Sequence, residues 1–459
     1  MKRVLVVAYR FPPQTGAGSL RISKFVRYLP EFGWTPEVVT VRNPLNQRRD
    51  DTLLAQLPRD LKVHGATGWY WRRLEQRALR WVRGPASPPD PAALGRSDPP
   101  DVGGRSAVRR GLARAYGALR DLVEFPDAHV GWVPAAAWWS ARACRSRSFD
   151  AIFCSTPPHS AQLAAYLAAR ASGVPLVVDL RDPWADLFHL TRRPVRRFAV
   201  RTLERLVFRL AGAVVLNTEA MAEMVRARHT GLPPDRFVAI PNGFDSSDFP
   251  ARESAPRRDD GRKVVLHVGD VYHGLGDPSE VLRGLETVVA RHPALRDRLI
   301  LRFIGGGPIL RTGPYGRLFQ ESPLRDRIEV LDHQPHAVCV KAMLDASVLF
   351  LVQNSPDTPT QVSSKLYEYL YARRPVLAVT TSAATRRVVE ETACGVAIPP
   401  GRQDEVTRVL ESFLTDPAAS PHPKDDAVGA YERRALTRRL ATILDAVASR
   451  ELTSRRSNS

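Results

Sequence analysis

The sequence predicts an α/β protein of two doubly wound, Rossmann-like domains in series, with a ligand cleft between them. Three observations predict it. At 459 residues, 44% of them hydrophobic, the chain is too long for one ordinary domain and apolar enough for two cores. Its N-terminal run Val4-Leu5-Val6-Val7 passes through a glycine-containing loop into a helix-spaced apolar pattern and then a second apolar run, which is a βαβ unit. A second series of the same kind begins at Val264-Val265-Leu266-His267-Val268. In such sheets ligands bind at the strand C-termini.

In the first domain, Val4 to Val7 is a buried strand and Phe11 to Gly18 a loop. Ile22, Phe25, Val26 and Leu29 form one helix face, Gly33 suits the helix exit, and Val38 to Val41 is the next strand. From about residue 45 to residue 125 the pattern breaks. Two arginine-rich amphipathic stretches, around Trp71, Leu74, Ala78 and Trp81 and around Val108, Leu112, Leu119 and Val123, flank a Pro/Gly/Ser/Asp segment from Gly84 to Gly104 that reads as a mobile loop. Strands then follow at Ala151 to Cys154, Leu176 to Val178 and Ala213 to Leu216, with helices over His159 to Arg170 and Val195 to Leu210, and the stretch Val238 to Ile240 leads into Pro241-Asn242-Gly243. The first domain thus covers 1–250, and the charged, proline-containing stretch 251–262 is the linker.

In the second domain, 263–430, Asp277 as N-cap, Pro278 and Glu280 form a capping box ahead of a helix that turns Leu282, Leu285 and Val289 inward. Strands follow at Leu299 to Ile304, Val348 to Val352, Pro375 to Val379 and Val396 to Ile398. Residues 431–459 read as a C-terminal helix and a disordered tail.

A formal net charge of +19 bears on partners, with nucleic acid, an anionic membrane and phosphorylated substrates as the candidates. No zinc-finger, helix-turn-helix or RNP pattern accompanies it, which argues against nucleic acid. Many arginines instead lie on amphipathic stretches beside Trp and Leu, which suits an anionic membrane surface. Cys144, Cys154, Cys339 and Cys394 are far apart and lack CxxC spacing, so neither a zinc site nor a disulfide framework is expected, and a reducing, cytoplasmic setting fits. The opening apolar run is too short for a signal peptide, and no uncharged stretch reaches the length of a membrane span.

Four elements carry candidate chemistry. Gly16-Ala17-Gly18-Ser19 stands between a strand and a helix N-terminus, where small residues and free N–H groups admit an anion; it lacks the third glycine of a dinucleotide loop, having Arg21 there, and also reads as a tight turn. In Val362 to Leu370, Ser363 or Ser364 caps a helix, and Lys365 and Glu368 share a helix face. A cation at a helix N-terminus suits a diphosphate, and a carboxylate one turn later suits ribose hydroxyls; the bland alternative is a solvated Lys–Glu pair. Arg181 and Asp182, in Asp179 to Trp184 at a strand end, are candidates to face the reacting group, or a pair that only fixes the loop. Asp127 to Trp132, with Trp138 and Trp139 beyond it, offers rings that stack on sugars or fill a core. His159 lies at a strand end, where a structural role competes with a site role.

Together these residues resemble the family-4 retaining glycosyltransferases of GT-B fold, polysaccharide or lipid-linked-glycan type. The glycine loop, Asp179-Leu180-Arg181-Asp182-Pro183-Trp184, Ile240 to Asp245, Phe303-Ile304-Gly305-Gly306-Gly307-Pro308 and Ser364-Lys365-Leu366-Tyr367-Glu368-Tyr369-Leu370 run in family order. The resemblance implies that Glu368 holds the donor ribose. The candidate donor contacts are then Gly16, Gly18, Tyr272, Gly305, Gly306, Ser363, Ser364 and Lys365 beside Glu368, the catalytic candidates Arg181 and Asp182, and the acceptor-side candidates Trp132 and His159. The chain departs from the family pattern at Thr360, where a glutamate is usual, and across Gly269 to Gly274, where a basic pair is usual.

The implied reaction moves a sugar from a nucleotide diphosphate sugar to an acceptor hydroxyl, with retention, in cell-surface polysaccharide or glycolipid synthesis. Backbone N–H groups and Lys365 would meet the leaving diphosphate, so no metal or other cofactor is expected. The expected partners are the nucleotide sugar, a glycan or lipid-linked acceptor, and the anionic inner face of the plasma membrane. The alternatives are a GT-B nucleotide-sugar epimerase, a non-catalytic subunit, and a basic nucleic-acid-binding protein; donor hydrolysis or transfer separates them.

Overall fold

The computed structural model describes residues 1–45, 49–71, 73, 116–117, 119–186, 193–249, 261–271, 274, 276–305, 307–355, 358–416 and 420–457. The expected loop of 84–104 and most of the linker lie outside them. Two compact units divide the chain: Met1–Val214 with Leu444–Ser459, and Val215–Ile443.

The first sheet contains β1 (Lys2–Ala8), β2 (Trp34–Val41), β3 (Lys62–Ala66), β4 (Ala151–Thr156), β5 (Leu176–Leu180), β6 (Ala213–Leu216) and β7 (Phe237–Ala239). Their order is β3-β2-β1-β4-β5-β6-β7, and β1 pairs in parallel with both β2 and β4. The second sheet contains β8 (Lys263–Val268), β9 (Leu299–Ile304), β10 (Ile328–Leu331), β11 (Val348–Gln353), β12 (Val376–Thr380) and β13 (Gly395–Ile398), in the order β10-β9-β8-β11-β12-β13. Both orders are those of a doubly wound sheet, and each reverses direction at its first strand. The reversal leaves a crevice outside the C-terminal ends of β1 and β4, and another outside those of β8 and β11.

The central strands read as unbroken apolar runs because both faces are covered. In the second sheet, Val264, Leu266 and Val268 pack into one core while Val265 joins Leu301, Phe303, Val348 and Phe350 in the other. That alternation places His267 on the second face, beside Phe303 and Phe350.

Two expectations change. The two strands without a sequence signal, β3 and β10, are both sheet edges, and neither shows a run of buried apolar side chains. Asp277 acts one residue earlier than expected: the helix begins at Ser279, with Pro278 at the N-cap, and Asp277 Oδ1 accepts from Ser279 N at 2.9 Å. Glu280 does not reach back but accepts from Gly401 N at 2.7 Å. The chain passes from the first compact unit to the second after Val214 and rejoins the first at Leu444. There Asp445 accepts from Lys2 Nζ at 2.7 Å and Trp34 Nε1 at 3.1 Å.

All four cysteines are buried and free. Among the described residues no helix is long and apolar enough to cross a membrane.

Candidate functional site

At the crevice of the second sheet lies a pocket of about 160 Å³. Its wall includes His267, Asp270, Gln353, Thr358, Ser363 and Lys365. The helix Ser364–Ala372 points its N-terminus here; Ser363 is the N-cap, and its side chain takes none of the leading N–H groups. Leu366 N donates to Ser363 O at 3.1 Å, and the N–H groups ahead of it, with the helix dipole, suit an anion.

Lys365 lies across Gly269. A Cβ at Gly269 would stand 1.7 Å from Lys365 Cε, and the backbone there has φ +105°. Only glycine satisfies both conditions. Gly305 packs behind it, its own missing Cβ 3.4 Å from Gly269 Cα. Burial draws the Lys365 ammonium below the usual lysine range, while Asp270 and Glu368 hold it up. Glu368 follows one turn along the helix, half-buried, with Oε1 3.6 Å from His336 Nε2.

The surroundings fix these groups. Tyr369 Oη accepts from Val268 N at 3.0 Å and donates to Phe350 O at 3.4 Å, tying the helix to β8 and β11. The preceding loop is clamped at Gln361 O, which accepts from Gln353 Nε2 at 2.9 Å and Ser382 Oγ at 2.6 Å. Thr360, where the family pattern has a glutamate, is held through its carbonyl by Thr218 Oγ1 at 2.6 Å.

In the first unit, the Asp179 to Trp184 element is a structural hub. Asp179 pairs with Arg21 in full burial and accepts from Ser155 Oγ at 2.7 Å. One ion pair of this element is Arg21–Asp179, between a helix and a strand end. Arg181 donates to Thr156 O at 2.9 Å and Pro157 O at 3.2 Å. Its guanidinium fills the space over Gly18, where a Cβ would stand 2.5 Å from Nη2. The small residue at 18 thus admits an arginine. Gly16 takes φ +111° at the N-cap of the helix Ala17–Tyr28, with open space about it. Asp182 is half-buried beside Arg181.

Trp132 and His159 are both buried, 0% and 2% exposed. Trp132 meets Tyr9 edge-on at 5.4 Å, and His159 stacks on Trp184 at 5.5 Å. Burial pushes His159 down to about 4, so the ring is neutral at pH 7. Asp127 accepts from Ser160 N at 2.8 Å, capping the helix Ser160–Ser172 from a distance. Burial opposes its charge, yet the His129 side chain and the N–H groups of Ser160 and His129 hold its carboxyl below the usual range.

The second unit therefore brings together Gly305, Ser363, Ser364, Lys365 and Glu368. Gly16, Gly18, Arg181, Asp182, Trp132 and His159 belong to the first, while Tyr272 and Gly306 lie outside the described residues. Sequence reasoning missed His267 and Gln353. Each carried a signal: a lone histidine in an apolar strand, and a polar residue ending one at the sheet's C-terminal edge.

Comparison with known proteins agrees with this architecture. Residues 92–248 match the model of Glycosyltransferase Family 4. The chain is 25% identical over 266 residues to alpha-D-kanosaminyltransferase of Streptomyces kanamyceticus, covering 55% of this chain and 64% of that one. It resembles the structure of alpha,alpha-trehalose 6-phosphate synthase from Burkholderia multivorans, with TM-score 0.62 and 15% identity over 99% of this chain and 98% of that one. It also resembles Anabaena Alr3699/HepE in complex with UDP and glucose, with TM-score 0.55 and 18% identity over 98% of each chain.

Proposed function

With residues 92–248 matching Glycosyltransferase Family 4 and the chain in a GT-B fold, we propose that the protein transfers a sugar from a nucleotide diphosphate sugar to an acceptor hydroxyl. The observation that carries this reading is Lys365 lying across Gly269 at the N-terminus of the helix Ser364–Ala372, with Glu368 one turn beyond. The diphosphate sits against the helix N-terminus and the ammonium, and Glu368 takes the ribose hydroxyls. As the anomeric bond breaks, negative charge grows on the diphosphate, and dipoles already in place stabilise it without a metal ion. The sugar is transferred with retention, to a glycan or lipid-linked acceptor at the cytoplasmic face of a membrane. The UDP and glucose held by Alr3699/HepE support nucleotide sugars as the first donors to try.

The test incubates the purified chain with UDP-glucose, UDP-galactose, GDP-mannose and short glycan acceptors, with and without EDTA, and follows products by NMR. Donor consumption that survives EDTA, with the anomeric configuration kept, is expected. Epimerised donor in place of transferred or hydrolysed sugar, or no binding of any nucleotide, would overturn the reading.

A further inference from the structure

One residue lining this pocket, His267, carries a buried hydrogen-bond acceptor with nothing to accept from. His267 is 2% exposed near the C-terminal end of β8, and its ring lies 6.1 Å from that of Phe303 and 5.3 Å from that of Phe350. Nδ1 lies 3.1 Å from Phe350 O, so this nitrogen carries the proton and donates it. Nε2 is then a bare lone pair, and among the described residues it has no hydrogen-bond partner. Burial first, and then the charge of Lys365, push the imidazole down to about 3, so the lone pair is present at neutral pH.

A buried acceptor left unmet is costly, and a ligand N–H or O–H that meets it gains on binding. A diphosphate oxygen is itself an acceptor and gains nothing there. A hydroxyl suits both neighbours on this wall: its proton meets Nε2, and its oxygen accepts from the Lys365 ammonium, which keeps further N–H groups for the diphosphate. We propose that His267 Nε2 accepts a hydrogen bond from a hydroxyl of the sugar being transferred, making His267 a specificity-determining residue of the donor site. The inference rests on the nucleotide-sugar reading of the pocket and adds which part of the donor this residue reads.

Calorimetric titration of the full chain with UDP and UDP-glucose, and with GDP and GDP-mannose, tests it. His267→Phe removes the acceptor and keeps an aromatic ring. It should leave the affinity for the nucleoside diphosphate within about twofold and weaken that for its sugar by about tenfold, the fold-change expected for one good hydrogen bond. His267→Gln, which offers an amide donor to Phe350 O and a carbonyl acceptor to the pocket, should restore most of that loss. Equal weakening of nucleotide and nucleotide sugar, or no weakening of either in folded protein, would overturn the assignment. If His267→Phe does not fold, the ¹⁵N resonance of His267 Nε2 in the wild type decides: it should shift with the nucleotide sugar and stay in place with the nucleotide alone, and no difference between them overturns the proposal. Wild-type protein that binds none of the four compounds removes the nucleotide-sugar reading itself, and this inference with it.

Discussion

Arg21 and Asp179 form a two-pronged, fully buried ion pair: Nε to Oδ2 at 3.1 Å, Nη2 to Oδ1 at 2.7 Å, both side chains 0% exposed. It joins the helix Ala17–Tyr28 to the end of β5, at the crevice side of the first sheet. The arginine occupies the place where a dinucleotide loop has its third glycine. The loop's departure from that pattern thus has a structural cause.

Removing one member of such a pair strands the other charge. Arg21→Met should lower the unfolding free energy by about 3–5 kcal/mol, and the double change Arg21→Met with Asp179→Leu should lower it by less than the two single changes summed. Urea denaturation of the three variants measures this. A loss below about 1 kcal/mol for Arg21→Met would mean that the pair does not hold the helix to the strand.

The contact of Lys365 with Gly269 predicts a selective defect. Gly269→Ala forces a side chain into φ +105° and against Lys365 Cε, so the ammonium must leave its place. The backbone strain should cost about 1–3 kcal/mol of stability, and nucleoside diphosphate binding should be lost in the protein that remains folded. Undiminished affinity in folded Gly269→Ala would contradict the placement of Lys365 in the site.

Lys365→Ala and Glu368→Ala test the proposed donor contacts directly. Each should weaken nucleoside diphosphate binding by about 1.5–3 kcal/mol, the range for hydrogen bonds to charged groups. Calorimetry on folded variants reads the change; full affinity in both would remove the assignment.

The same residues show what is legible in a sequence. Central strands such as Ala213–Leu216 and Leu299–Ile304 announce themselves because burial on both faces demands unbroken apolar runs. Edge strands β3 and β10 carry no such demand and leave no such trace. The Ser364 to Leu370 motif is readable because its chemistry is local to one helix. Arg21–Asp179 spans 158 positions and His267–Phe350 spans 83, and no local pattern marks either. Trp132 and His159 were the most ambiguous, because an aromatic ring near a strand end serves a core as readily as a ligand, and here both are buried.

Burial of His159 makes stability depend on pH. Its folded value of about 4 lies below the ordinary 6.5, so between these values the unfolded chain binds the proton that the folded chain refuses. The neutral-histidine stabilisation is complete above about pH 6.5 and is lost as pH falls toward 4, by about 3 kcal/mol in all. His159→Phe preserves the stack on Trp184 and removes the titration. The variant should match the wild type within about 1 kcal/mol at pH 7 and exceed it at pH 4.5. Parallel stability curves for the two proteins from pH 7 to pH 4.5 would contradict a buried neutral ring.

The membrane reading makes its sharpest prediction on a different surface from the one the sequence suggested. Of the expected anchors, Trp71 is half-buried and donates to Tyr116 Oη at 3.1 Å, while Leu74 and Trp81 lie outside the described residues. The helix Pro194–Leu210 instead exposes Val195 at 81% and Phe198 at 73%, among exposed Arg193, Arg197, Arg201 and Arg205. Leu122, 74% exposed, belongs to a neighbouring segment that Arg196 ties down through Asp121 O at 3.2 Å and Pro126 O at 2.9 Å. Apolar side chains flanked by cations suit an anionic headgroup surface, where each basic residue contributes about 1 kcal/mol. Flotation with neutral and with anionic vesicles should recover the protein only with the anionic ones, and less of it as salt rises. Phe198→Ser with Leu122→Ser should reduce recovery while thermal stability stays unchanged, because neither side chain is buried. Equal recovery from both vesicle types, or full recovery of the double variant, would show that this face does not meet the bilayer.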